Sequence, residues 1–407
     1  MKKKILNLSL LILWGGLFTS CNLIRLMNGA NNERLTFNNG TYKFNYIENQ
    51  ILIYTEFSDQ ISRNFILDLG APTGVVFMDS SLAHIITDKK SIPSINNTQS
   101  ATGAKMKHKY IPWGTIKTNW FTLENSFMSS LDRPDPFACN KISGIWGADL
   151  FSPNFKGLGN KILLIQMQDS MVSILDSLPN IDKWICIESD FSIMSYIKIK
   201  ASIDGKLMYF YFDTGFSGSM ILTRETYNAM HKDTNKLYDE KMIYGYITNS
   251  LSGTQIDTAY SGISALNLSN GLLTDSITWL STKSLIVNAL GMEYIRRFNV
   301  LVDYQGRKLY LQPNPNYRES QKTFFQSKGF KARNMDGNTI LVINMEVNGP
   351  AEKAGLKVGD QILSINNMDA DKRDNCEVVR MISEIDGKST QNEVTIKRGN
   401  EIMKFTL

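Results

Sequence analysis

Histidine is scarce in this chain. Only His84, His108 and His231 occur in 407 residues, and no two have the His-x-x-x-His spacing that puts two imidazoles on one helix face around a metal. The usual zinc-hydrolase pattern is therefore excluded, and neither a metal nor another cofactor is expected. No Gly-x-Ser-x-Gly elbow and no Gly-Asn-Ser-Gly-Gly segment is present, so two familiar settings for a serine nucleophile are missing as well. Cysteine is equally sparse. Cys21, Cys139, Cys186 and Cys376 show no ligand spacing and no pattern of a disulfide framework. There is no strong excess of charge of one sign, the formal net charge being +5, which gives no footprint for a nucleic-acid partner. What is present is ordinary globular material, 43 % hydrophobic and 20 % charged, long enough for two or three domains.

Residues 1–21 read as an address. Lys2, Lys3 and Lys4 precede an apolar run from Ile5 to Phe18, which ends in Thr19-Ser20-Cys21. The run is short for the ~20 residues of a membrane span. A basic start, a short apolar middle and small residues before a cut describe a secretory signal, and the terminal cysteine makes it resemble the lipoprotein class, which implies acylation at Cys21 and a lipid anchor in a bacterial membrane. Loss of the three lysines lowers the formal charge from +5 to +2. Residues 22–41 are polar and patternless, as a tether is. Their lack of an acidic cluster leans towards a periplasm-facing location in the cell envelope.

From Tyr42 to Gln312 short β-branched and aromatic runs alternate with turn residues, so this region is expected to be mainly β. It contains an internal repeat. Asn64-Phe65-Ile66-Leu67-Asp68-Leu69-Gly70 and Tyr209-Phe210-Tyr211-Phe212-Asp213-Thr214-Gly215 are both apolar strands ending in Asp-x-Gly, and no other Asp-x-Gly triplet occurs. Each is followed, 79 positions on at Gly147 and 78 positions on at Gly291, by two apolar residues, that glycine and a helix-like stretch. Each unit then closes with a hairpin, Ile162 to Ile174 and Val300 to Leu311, the second turning at Gln305-Gly306. A single Asp-x-Gly means nothing, since ~1 to 2 arise by chance at this length; the duplication has the weight. Ordinary β-turn aspartates in a duplicated barrel are the bland alternative.

These motifs resemble the aspartic peptidases of the retropepsin and pepsin type, and most of all the bacterial retropepsin-like group. The resemblance implies two tandem lobes, 42–180 and 181–312, with Asp68 and Asp213 as the catalytic pair acting on a protein or peptide substrate. It further implies supporting roles for Gly70, Ala71, Thr214, Gly215, Ser217, Gly147 and Gly291, with Ser217 reaching the outer oxygen of Asp213. Two residues depart from the family pattern. Leu69 stands where a Thr or Ser hydroxyl is usual, which leaves the inter-lobe clasp to Thr214 alone, and Phe216 replaces a small residue. Restoring the hydroxyl with Leu69→Thr is expected to leave activity equal or higher. Gly103 and Gly245, 35 and 32 positions after the aspartates, are candidate flap glycines or plain hairpin turns. A two-lobed peptide-binding protein without activity is the rival.

Pro313-Asn314-Pro315-Asn316 marks a linker. Beyond it, residues 320–407 resemble a PDZ (α+β) domain, most specifically along Gly349-Pro350-Ala351-Glu352-Lys353-Ala354-Gly355-Leu356-Lys357-Val358-Gly359-Asp360-Gln361-Ile362-Leu363-Ser364-Ile365-Asn366. Pro350 is expected to start a short helix and Gly355 to end it, with Ile362, Leu363 and Ile365 entering the core. Cys376 to Ile385 reads as the helix lining the groove. The resemblance implies capture of peptide C-termini at Ser327-Lys328-Gly329-Phe330, with Lys328 either assisting a carboxylate or facing solvent.

Overall fold

The computed structural model describes residues 32–78, 82, 84–86, 91–93, 98–103, 105–132, 142–151, 161–192, 195–232, 240–250, 253–271, 273–317, 328–334, 339–370, 377, 381–382 and 391–407. Cys21 with the whole of 1–31, Cys139, Cys376, Ser327 and most of the stretch from Cys376 to Ile385 lie outside them. Strands dominate, and no described helix is long and apolar enough to cross a membrane.

Six strands of the first half close into a circuit: β1 (Gln50–Glu56), β2 (Ser62–Asp68), β3 (Val75–Met78), β4 (Lys109–Thr118), β5 (Phe121–Asp132) and β6 (Ile142–Gly147). β1 runs antiparallel to β2, β2 parallel to β6, β6 antiparallel to β3, and β3 parallel to β5. Antiparallel β5–β4 and β4–β1 pairs close the ring. The strands β7 (Ile162–Gln166) and β8 (Met171–Leu175) follow as a hairpin.

The second half has β9 (Ile197–Ile203), β10 (Lys206–Phe212), β11 (Met220–Thr223), β12 (Lys241–Ser250), β13 (Gly253–Leu268), β14 (Leu273–Thr282) and β15 (Ala289–Leu290). The circuit β9–β10–β15–β11–β14–β13–β9 has the same pairing senses in the same order as the first. Local pattern explains the strands. In β9, Ile197, Ile199, Ala201 and Ile203 point inward and alternate with Lys198, Lys200 and Ser202. Its turn into β10 places Asp204 and Gly205 at φ +47° and +86°, the double left-handed conformation of a two-residue hairpin.

A six-stranded sheet joins the halves. Its order is Ile185–Ile187, β17 (Lys308–Pro313), β16 (Phe298–Asp303), β7, β8 and Gly40–Lys43. Across its centre β7 pairs with β16, Leu163 opposite Val302 and Ile165 opposite Val300, and all four are buried. One apolar core runs through both halves. Behind β2, Trp146 stacks on Phe65 at 5.2 Å and meets Phe121 edge-on at 5.0 Å, while its indole nitrogen donates to Thr55 Oγ1 at 2.9 Å. The buried indole is thereby satisfied.

The C-terminal unit has a separate core. It comprises β18 (Phe330–Asn334), β19 (Ile340–Glu346), a helical turn at Pro350–Lys353, β20 (Gln361–Ile365), β21 (Glu393–Arg398) and β22 (Glu401–Thr406). Pro350 opens the turn and Gly355, at φ +100°, follows its end. Leu363 does not enter this core. A register shift between Ile362 and Ser364 against β21 interrupts the alternation, so Ile362 and Ile365 are buried and Leu363 is left half-buried.

Candidate functional site

Asp68 ends β2 and Asp213 follows β10, each beside a parallel strand. Gly147 of β6 lies opposite Asp68, and the Asp213 amide donates to the Leu290 carbonyl of β15 at 2.9 Å. Each chain then turns sharply and aims two amides back at its own carboxylate. Gly70 and Ala71 donate to Asp68 Oδ1 at 2.9 Å each; Gly215 and Phe216 donate to Asp213 Oδ1 at 2.9 and 3.0 Å. The two carboxyl groups hydrogen-bond to each other. The glycines are required by the facing loop: a Cβ on Gly70 would lie 2.6 Å from Asp213 Cγ, and one on Gly215 would lie 2.3 Å from Asp68 Cγ.

Two carboxyls enclosed together titrate unlike free ones. Burial, then the charge of Asp213 and the hydrogen bond with it, push Asp68 well above the ordinary carboxylate range against the pull of its two amides. Burial also raises Asp213, opposed by the hydrogen bond with Asp68 and by the amides of Phe216 and Gly215.

Thr214 is fully buried, and its hydroxyl accepts from the Leu69 amide and donates to the Leu67 carbonyl, both at 2.8 Å. The second loop is thus fastened to the first through backbone groups. Leu69, the departure from the family pattern, is itself fully buried in the main core and acts as an apolar anchor for the first loop. Behind the loops, Ala148 donates to the Ala71 carbonyl at 2.9 Å, and Gly291 and Met292 donate to Ser219 and Phe216 at 2.9 and 2.7 Å. Gly147 and Gly291 have no room for a side chain, a Cβ falling 2.5 Å from the Thr73 carbonyl carbon and 2.3 Å from the Gly218 oxygen. Ser217 is exposed, and the bonds to Asp213 among the described residues come from Asp68, Gly215 and Phe216.

The two flap candidates have different surroundings. Gly103, at φ +74°, closes a turn whose Ala101 carbonyl accepts from Ile286 of the second half at 3.1 Å. Gly245 is not at a hairpin turn: it sits within β12, at φ +134°, opposite Asn344 of β19. The pattern around it gave no sign of this, because its neighbour is backbone a hundred positions away. Lys328 does not face solvent. It is 8 % exposed, and its ammonium donates to the Leu407 carbonyl at 3.0 Å. Gly329, at φ +74°, accepts from the Glu346 amide at 2.8 Å, and Phe330 is buried in the C-terminal core.

Residues 325–397 match the PDZ domain family, so the C-terminal unit is a PDZ domain, a module that binds peptides or proteins. No curated protein matches the chain. Among solved structures it is similar to conglutin gamma, a basic 7S globulin from lupine seeds, with a TM-score of 0.40 and 10 % identity, covering 69 % of this chain and 95 % of that one. A likeness so distant has no bearing on function.

Proposed function

We propose that residues 42–312 form a two-lobed aspartic peptidase made of duplicated halves, held by a lipid on Cys21 to a bacterial envelope membrane, with the PDZ domain recruiting or regulating. The observation that supports the peptidase reading best is the hydrogen-bonded pair Asp68 and Asp213, each at a strand end, each held by two loop amides, and both raised by burial. Such a pair keeps one proton between its members. One carboxyl carries that proton and the other is ionised. The ionised carboxyl takes a proton from a water, the water oxygen bonds to the peptide carbonyl carbon, and the protonated carboxyl donates its proton to the carbonyl oxygen. Collapse of the resulting diol, with proton transfer to the leaving nitrogen, breaks the C–N bond. Thr214 and the four amides keep both carboxyls in place.

The departures at Leu69 and Phe216 favour a second reading, a cleft that holds peptides without cutting them. Incubating the chain with a peptide library at mildly acidic pH separates the two. Cleavage is expected, and Asp68→Asn and Asp213→Asn should each abolish it with the circular dichroism unchanged. Peptides bound but left whole, or cleavage surviving either substitution, would reject the mechanism.

A further inference from the structure

β13 belongs to the second circuit, and its hairpin partner β12, outside that circuit, adds to the PDZ domain as a strand. Ile243, Tyr244 and Gly245 lie opposite Glu346, Met345 and Asn344 of β19 in antiparallel register. The Val347 amide donates to the Met242 carbonyl at 2.8 Å, and Lys241 Nζ meets Glu346 Oε2 at 2.9 Å. The approach depends on glycine, because a Cβ on Gly245 would fall 2.0 Å from the Ile343 oxygen. On its other side β19 pairs with β18, Phe330 opposite Met345 and Lys331 opposite Asn344, so two residues of β19 serve both neighbours.

At its root the same strand reaches the carboxyl pair. Ile243 is fully buried in an apolar cluster with Ile221, Ala259, Leu280, Leu285 and Ala289, against which Phe216 packs. Phe216 donates its amide to Asp213. A line of contacts therefore runs from Gly329 through Glu346, through Ile243 and the apolar cluster it belongs to, and through Phe216 to the Asp213 carboxylate.

We propose that the PDZ domain acts on the carboxyl pair in cis: docking of β12 on β19 sets the position of the Phe216 loop, and with it the hydrogen bonds that hold Asp213. The inference rests on the peptidase reading for its effect on rate. Gly245 and Lys241 are then positioning residues. Coupling of this kind requires two states that the pair distinguishes, here the arm docked and the arm released.

The test uses the full chain and three readouts: cleavage of one peptide, amide hydrogen exchange of segments 241–246 and 343–347, and the apparent titration of the aspartate pair followed by carboxyl carbon NMR. Gly245→Ala should raise exchange in both segments together, slow cleavage at least tenfold and move the titration of the pair. Lys241→Glu, which faces Glu346 with a like charge, should do the same to a smaller degree, and Lys241→Glu with Glu346→Lys should restore the wild-type behaviour. The charge-swap trio decides if Gly245→Ala does not fold. Release of the arm without change in titration overturns the proposal, as does unchanged exchange in Gly245→Ala and Lys241→Glu, or failure of the swap to restore. If the wild-type chain cuts no peptide, the peptidase reading falls, while titration and exchange still decide this one.

Discussion

The clasp between the loops, expected of Thr214 alone, is made by the Thr214 hydroxyl with the backbone of Leu67 and Leu69, while the Leu69 side chain packs in the core. The Thr214 hydroxyl satisfies one buried amide and one buried carbonyl, so Thr214→Val keeps the shape and strands both groups, at about 1–3 kcal/mol each. A fall in thermal stability and a loss of cleavage of about 100-fold are expected, with Thr214→Ser close to wild type. Leu69→Thr is now expected to hurt, because it removes a fully buried apolar side chain and buries a hydroxyl, for about 2 kcal/mol or more in thermal unfolding. The Asp68 carboxyl gives a pH signature. Its folded pKa is raised, so the proton it holds stabilises the native state fully below the unfolded value of about 4, and that contribution is lost as pH rises through the folded value. Each unit of elevation corresponds to about 1.4 kcal/mol. Asp68→Asn, which cannot ionise, should therefore match the wild type in melting temperature at pH 3.5 and exceed it at pH 7.5. The aspartates were legible in the sequence because two Asp-x-Gly loops need two glycines. The partners of Thr214 were not, since backbone groups carry no residue signature.

Strand periodicity made the elements readable where one face is buried and the other wet, as in β9, and the closing hairpins fall where the turn residues put them. Alternation failed where a bulge interrupts it, at Leu363, and glycine was misleading where backbone rather than a turn demands it, at Gly245. Lys328 was misjudged for a related reason: a lysine in a polar loop looks solvated, but it is buried and its ammonium donates to the Leu407 carbonyl. Its substitution should consequently act on stability. Lys328→Ala is expected to cost the PDZ domain about 1–3 kcal/mol in denaturant unfolding while changing peptide affinity little. A peptide with an apolar C-terminal residue and a free carboxylate should bind the full chain more tightly than its amidated twin, by roughly tenfold or about 1.4 kcal/mol. Titration calorimetry of the two forms measures the difference, and equal affinities would remove carboxylate capture from the loop at Gly329.

At the scale of the molecule, the repeat that the sequence displays as two motifs is present as two strand circuits with one order of pairings, while the sheet between them was not foreseen beyond its two hairpins. That sheet ties the halves through the hairpin that closes each. A chain ending at residue 297 would lack β16 and β17 and leave Leu163, Leu164 and Ile165 of β7 along an uncovered edge. Such a fragment is expected to self-associate in light scattering at concentrations where the full chain stays dispersed. The same pairing governs the order of assembly. Ile162 meets Asp303 only after the strands of the second circuit have been made, an interval on the order of ten seconds at ~5–20 residues per second. Until β16 pairs, the first circuit can be complete while the edge of β7 stays open, so the yield on refolding from denaturant should fall as chain concentration rises.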